Sequence, residues 1–159
     1  MAETIDIAGM LAILHKIYAA SDTETEVALK ISGEPPFRVA AIEDRLVQVF
    51  RNLLQNAISF SPPSGRVTLS LARRDSDIEI DVCDDGPGLP EGKLDAVFDR
   101  FYTERPQGEK FGTHSGLGLS ISRQIVEAHG GSIRAENRYT SDRTVRGARF
   151  IVRLPLSDN

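Results

Sequence analysis

A chain of 159 residues, 40% hydrophobic and 26% charged, is long enough to bury a core and too apolar to stay disordered. Its 19 Lys and Arg against 23 Asp and Glu leave a net charge of −4 with the signs interleaved, which gives no electrostatic basis for a nucleic-acid or anionic-membrane partner. A single cysteine, Cys83, excludes an internal disulfide and a cysteine-rich metal site, and no stretch reaches the roughly 18–20 apolar residues of a membrane span.

In chain order, residues 4–7 fit a short strand, and 8–20 a helix with Met10, Leu11, Leu14 and Ile17 on one side. "EVALKIS" alternates Val27, Leu29 and Ile31 as a strand does, and "EPP" breaks it. From Ile42, apolar residues recur at Leu46, Val49/Phe50, Leu53/Leu54 and Ala57/Ile58, a helical spacing that Pro62 and Pro63 stop. "RVTLSLA" and "DIEIDVC" alternate with period two around polar "RRDSD" and read as a hairpin. Residues 84–116 form a segment too long for a mere connection, and such segments in compact domains carry function. "GLGLSISRQIVEAHGG" reads as a helix with Leu117, Ile121, Ile125 and Ala128 inward, closed by Gly130–Gly131. Two strands, 132–137 and 148–155, finish the chain. Strands joined in hairpins, without strict βαβ alternation, predict an α+β two-layer sandwich: a mixed sheet covered on one face by about three helices. The chain is expected to be one domain over 1–159.

Three stretches can carry chemistry. Asn52 and Asn56 lie four residues apart on one flank of the central helix, beside its apolar stripe. Neutral amide oxygens suit Mg2+ when a substrate's phosphates bring the negative charge; the alternative is a solvated flank. "DVCDDGPGLP" leaves a core strand directly into Asp84-x-Gly86-x-Gly88. There a carboxylate can accept from an exocyclic amine such as adenine N6, and glycines allow φ > 0 or close approach; the alternative is a plain acidic turn. "FGTHSGLGLSIS" brings Gly112, Gly116 and Gly118 to a helix start, where free amides and the helix dipole favour phosphate. It is neither a Walker A loop nor a dinucleotide fingerprint. Between the last two, Phe98, Phe101 and Tyr102 read as packing residues, while Arg100, Arg105 and Lys110 read as solvated or phosphate-facing.

The order of these boxes, an asparagine helix, Asp-x-Gly-x-Gly, a Phe-rich loop and Gly-x-Gly-Leu, resembles the catalytic, ATP-binding domain of bacterial sensor histidine kinases. That domain belongs to the ATPase superfamily of gyrase, Hsp90 and MutL, with the Bergerat-type fold. The likeness runs from about Ile42 to Pro155, and "FYTERPQGEKFGTHSGLGLSISRQIVEAHGG" is similar to the alphaproteobacterial ChvG/BvrS-type branch.

The resemblance implies ATP and Mg2+ as ligands. Asn56 would ligate the metal with Asn52 helping, and Asp84 would bind the adenine amine. Gly86 and Gly88 would let backbone approach the base, Phe60 would line the pocket, and 103–115 would be a lid over ATP. Arg105, Lys110 and the Ser115, Gly116, Leu117, Gly118, Leu119 run would meet the phosphates. This chain departs from the family pattern at Ser59 and Thr103, where a basic residue is common, and at Gly147-Ala148, where Gly-Thr is common. Hydrolysing relatives carry a glutamate where this chain has Asn52, which cannot accept a proton at neutral pH. Slow hydrolysis and retention of the γ-phosphate for transfer are therefore expected.

No histidine fits the phosphoacceptor pattern of the family. His15 precedes Lys16, His114 falls in the lid, and His129 precedes the glycine pair. The expectation is thus a monomeric, cytoplasmic catalytic domain of a larger kinase in a bacterial inner membrane. It would phosphorylate a histidine on a separate dimerisation domain and serve a response regulator indirectly. Alternatives are a non-catalytic nucleotide-sensing module and a serine kinase of the anti-sigma-factor type.

Overall fold

Alternating side chains between residues 66 and 83 set the centre of the molecule. A computed structural model describes residues 2–20, 24–99 and 118–157. Its elements are β1 (Glu3–Asp6), α1 (Ile7–Ala19), β2 (Glu26–Ile31), β3 (Arg38–Ala41), α2 (Glu43–Phe60), β4 (Arg66–Arg74), β5 (Asp77–Cys83), a 3-10 turn (Ala96–Phe98), α3 (Gly118–Ala128), β6 (Ser132–Tyr139) and β7 (Val145–Pro155). The main sheet has the order β2-β4-β5-β7-β6; β2 runs parallel to β4 and every other pair is antiparallel. β1 and β3 make a separate two-stranded sheet. The architecture is α+β with a mixed sheet, as the hairpin pattern predicts.

Register lines up one apolar face across the sheet. On β4, Val67, Leu69 and Leu71 point to this face, Leu69 and Leu71 sitting beside Val82 and Ile80, and Val82, Ile80 and Ile78 in turn face Phe150, Val152 and Leu154. All nine are buried, and α1, α2 and α3 cover this face with Leu11, Leu14, Leu46, Phe50, Leu53, Leu54, Ile125 and Val126. The ring of Phe98 meets that of Phe150 edge-on at 6.0 Å, and the Arg123 guanidinium lies 5.0 Å from the Phe98 ring centre. The opposite face carries charge. Arg149 binds Asp81 at 2.6 Å and Glu136 at 2.7 Å, yet burial still pushes the Asp81 carboxyl above its ordinary range. Burial likewise raises the Cys83 thiol, which makes it a poor nucleophile.

α2 and α3 are joined at two places. Asn52 Nδ2 donates to Gly118 O and to Ser122 Oγ, both at 3.3 Å. Just beyond α3, His129 Nε2 accepts the Ile42 N–H at 3.1 Å while Nδ1 donates to Ile125 O at 2.7 Å. These two bonds select the tautomer protonated at Nδ1.

Four details differ from the sequence reading. β3 arises where Pro35 and Pro36 mask a short Val39/Ala41 alternation, both side chains being buried. In α1, Met10, Leu11 and Leu14 are inward as expected, and Ile7, whose N–H bonds Phe37 O, joins them as the first helical residue, whereas Ile17 is 57% exposed. In α3 the inward face is Ser122, Ile125 and Val126, with Ile121 half-buried and Ala128 exposed; Leu117 lies outside the described residues. Last, Ile31 ends its strand 45% exposed rather than inward.

Burial therefore separates two leucine-like positions that periodicity alone treats alike. Leu53→Ala is expected to cost about 2–5 kcal/mol in urea unfolding, and Ile17→Ala less than about 0.5 kcal/mol. Equal losses would contradict the orientation of α1.

Candidate functional site

The apolar face gives way to polar groups at one end. β5 places Ile78, Ile80 and Val82 inward, and the next inward position is Asp84, fully buried. β6 repeats the pattern with Ile133, Ala135 and then Asn137, 7% exposed. On α2, among Leu53, Leu54 and Ala57, sits Asn56, 6% exposed. Leucine would be the more stable choice at such positions, so each amide or carboxylate must be accounted for.

Asp84 stands opposite Ala148 of β7, and its N–H donates to Ala148 O at 2.9 Å as in an ordinary ladder. The return bond is unusual. The Ala148 N–H goes to Asp84 Oδ1 at 3.0 Å, which also accepts the Gly86 N–H at 2.9 Å. The side chain thus occupies the acceptor position that the residue's own carbonyl would hold. That carbonyl instead accepts from Arg138 Nη1 at 2.5 Å. Both partners of Asp84 Oδ1 are backbone N–H donors, as a buried carboxyl acceptor requires.

The turn after Asp84 leans on the end of α2. A Cβ on Gly86 would lie 2.6 Å from Phe60 O, so only glycine fits, and Asp85 N–H reaches Ser61 Oγ at 3.3 Å. Gly88 has φ 82°, and a Cβ there would run into Val145 and Asn137. Asn137 then grips Leu89 on both sides: Oδ1 accepts its N–H at 2.7 Å and Nδ2 donates to its carbonyl at 2.9 Å. Asn137 and Arg138 are site residues that the sequence pattern did not single out. The signal was present only as a polar residue continuing the Ile133/Ala135 alternation.

Asn56 lies one helical turn, about 6 Å, before Phe60. Its Nδ2 is buried and has no hydrogen-bond partner among the described residues, and Ser59 Oγ is in the same condition. The unmatched Asn56 atom is a donor, and it fits a site where a ligand brings an acceptor such as a phosphate oxygen. Among the described residues no group of three His, Cys, Asp or Glu side chains could hold a metal. Any cation here would draw on amide oxygens and on the ligand's own charge, which is the donor set magnesium accepts with phosphates.

Of the candidate residues, Asn52, Asn56 and Phe60 lie in the C-terminal half of α2, and the turn carrying Asp84, Gly86 and Gly88 meets the end of that helix where Gly86 abuts Phe60. The fold sets Gly118 against Asn52, and Leu119 packs on the core. A Cβ at Gly118 would meet Asn52 only at 3.9 Å, so space does not demand glycine there. Arg105, Lys110, Ser115, Gly116, Leu117 and the 103–115 segment lie outside the described residues. A separate groove of about 430 Å³, lined by Asp44, Val47, Gln48, Arg51, Asn52 and Gln55, runs along the outer flank of α2 and shares only Asn52 with the candidate site.

Similarity to known proteins extends over most of the chain. Residues 41–158 match the model of the histidine kinase-, DNA gyrase B-, and HSP90-like ATPase family. The sensor protein ChvG of Rhizobium meliloti (strain 1021) is 50% identical over 120 residues, which is 75% of this chain and 21% of ChvG. The chain thus spans about a fifth of that relative's length. A solved chain of the mycobacterial sensor histidine kinase MprB superposes with a TM-score of 0.82 at 28% identity, covering 98% of this chain and 97% of that solved chain. Full-length ShkA, solved in complex with AMPPNP, superposes with a TM-score of 0.80 at 26% identity, covering 98% of this chain and 31% of ShkA. The chain belongs to the histidine kinase-, DNA gyrase B-, and HSP90-like ATPase family, and within it is a catalytic, ATP-binding domain of the sensor histidine kinase type.

Proposed function

We infer that this domain holds Mg-ATP between the turn after β5 and the α2 helix, and presents the γ-phosphate to a histidine on a separate dimerisation domain. The observation that carries the reading is the buried Asp84 carboxylate, fixed by the Gly86 and Ala148 amides at the polar end of an apolar core. A carboxylate oxygen is an acceptor of the kind an adenine amine requires. Phe60 would line the base, and the backbone around Gly118 and Leu119 would face phosphate at the start of α3. Asn56, with Asn52 directly or through water, would hold Mg2+, which when bound supplies charge neutralisation on the phosphates. Asn52 has its Nδ2 engaged by Gly118 and Ser122, which leaves its oxygen for that task. An amide at that place is no general base, so water is not activated and the γ-phosphate is kept for transfer.

The partners proposed for the parent kinase are its own dimerisation domain and, downstream, a response regulator. The parent is proposed to sit in a bacterial inner membrane with this domain on the cytoplasmic side. Among the described residues no helix is long and apolar enough to cross a membrane, so an anchor would come from elsewhere in the parent. Sedimentation of the full-length kinase with the membrane fraction checks that placement. Mixing the domain with a separately made dimerisation domain and ATP should yield acid-labile phosphate. Binding without transfer would instead mark a sensing module, and an acid-stable product a serine kinase.

Two substitutions test the site itself. Asp84→Asn replaces an acceptor of amide protons with an amide and should weaken Mg-ATP binding about ten- to a hundredfold by calorimetry. Wild-type affinity would remove the adenine assignment. Asn56→Leu should raise the thermal midpoint of the ligand-free domain, by removing a buried unmatched amide, while abolishing the Mg2+-dependent part of nucleotide binding. A variant that binds magnesium-nucleotide normally would rule Asn56 out as a ligand.

A further inference from the structure

The tip of β6 holds the turn that follows β5 through side chains alone. Asn137 takes both backbone groups of Leu89, Arg138 takes the Asp84 carbonyl at 2.5 Å and Asp85 Oδ1 at 3.3 Å, and Tyr139 donates to Glu91 at 2.8 Å. Three consecutive residues of one strand therefore grip the turn at its beginning, middle and end.

The reason lies in the ladder. Because the Asp84 carboxylate occupies the acceptor place opposite Ala148, the Asp84 carbonyl is expelled from the sheet and needs another donor in a buried setting. Arg138 supplies it, and a Cβ at Gly147 would overlap that same carbonyl. Were the Arg138 donor lost, the carbonyl could regain its bond by rotating back toward the Ala148 N–H, which would displace the carboxylate from it. Asn137 limits that rotation from the other side, since its buried amide fixes Leu89 and with it the course of residues 84–89.

We propose that Asn137 and Arg138 are positioning residues for adenine selection: they keep the Asp84 carboxylate, rather than its carbonyl, in the β5–β7 ladder and so aim it at the base. Neither side chain need touch nucleotide. The proposal rests on the adenine-reading role given above to Asp84, and it assigns that role's geometry to a strand outside the nucleotide motifs.

The test compares affinities of the 159-residue chain for AMPPNP and for inosine triphosphate, which lacks the exocyclic amine, both with Mg2+. Asn137→Ala and Arg138→Ala should each narrow the preference for the adenine nucleotide by about tenfold, and Arg138→Lys, which keeps a donor, should restore most of it. In an Asp84→Asn background neither alanine substitution should reduce binding further, because the residue they act through is already gone. Arg138 is half-buried, so its variants keep the test open should Asn137→Ala fail to fold. A lowered thermal midpoint with unchanged nucleotide preference in the Arg138 variants would reduce the pair to a structural clamp and overturn the proposal. A wild-type chain that binds neither nucleotide would overturn the ATP site as well, a result distinguishable from the first.

Discussion

One substitution of acceptors governs this domain: the carboxylate of Asp84 stands in a β-ladder where a main-chain oxygen belongs. Burying a carboxylate is costly unless donors surround it, and two amides supply them here at ordinary distances. The displaced carbonyl then requires a cation beside it, the turn requires glycine where it meets Phe60, and the next strand requires a polar tip. Each of these residues is explained by the preceding one. The chain of requirements begins with a single acidic residue at an inward position.

The core is built with a chemical gradient. Leucine, isoleucine and phenylalanine fill it at one end, while Asn56, Asp84 and Asn137 occupy equivalent inward places at the other. The central helix therefore answers why it carries two amides where leucine would be more stable. Asn52 ties α2 to α3, and Asn56 is left with a buried donor unmatched. Such local violations of folding preference concentrate where a protein meets its ligand, and the surrounding apolar packing offsets their cost.

Much of this was legible along the chain because it is local. The period of α2, the β4–β5 hairpin and the glycine pair after α3 each lie within one element, and the Asp-x-Gly-x-Gly turn announces itself by composition. The unread features depend on register between distant strands. Asn137 gains its meaning only when β6 lies against β7 and brings residue 137 to Leu89, forty-eight positions away. β3 was hidden because two prolines stand beside an alternation only four residues long. Ile17 and Ala128 misled because a helix's apolar period fixes a stripe but not where its edge falls.

The pairing of α2 with α3 has a mechanical corollary. Their two connections, Asn52 to Gly118 and Ser122, and Ile42 to His129, are spaced by ten residues on one helix and by about as many on the other. That is some 15 Å of matched antiparallel rods, pinned near both ends of α3 and at the start and middle of α2. Sliding one rod along the other would break both pins together, so the pair translates and tilts as a single lever. Whatever pushes on the first turn of α3 is thereby felt at Asn52 without any slack.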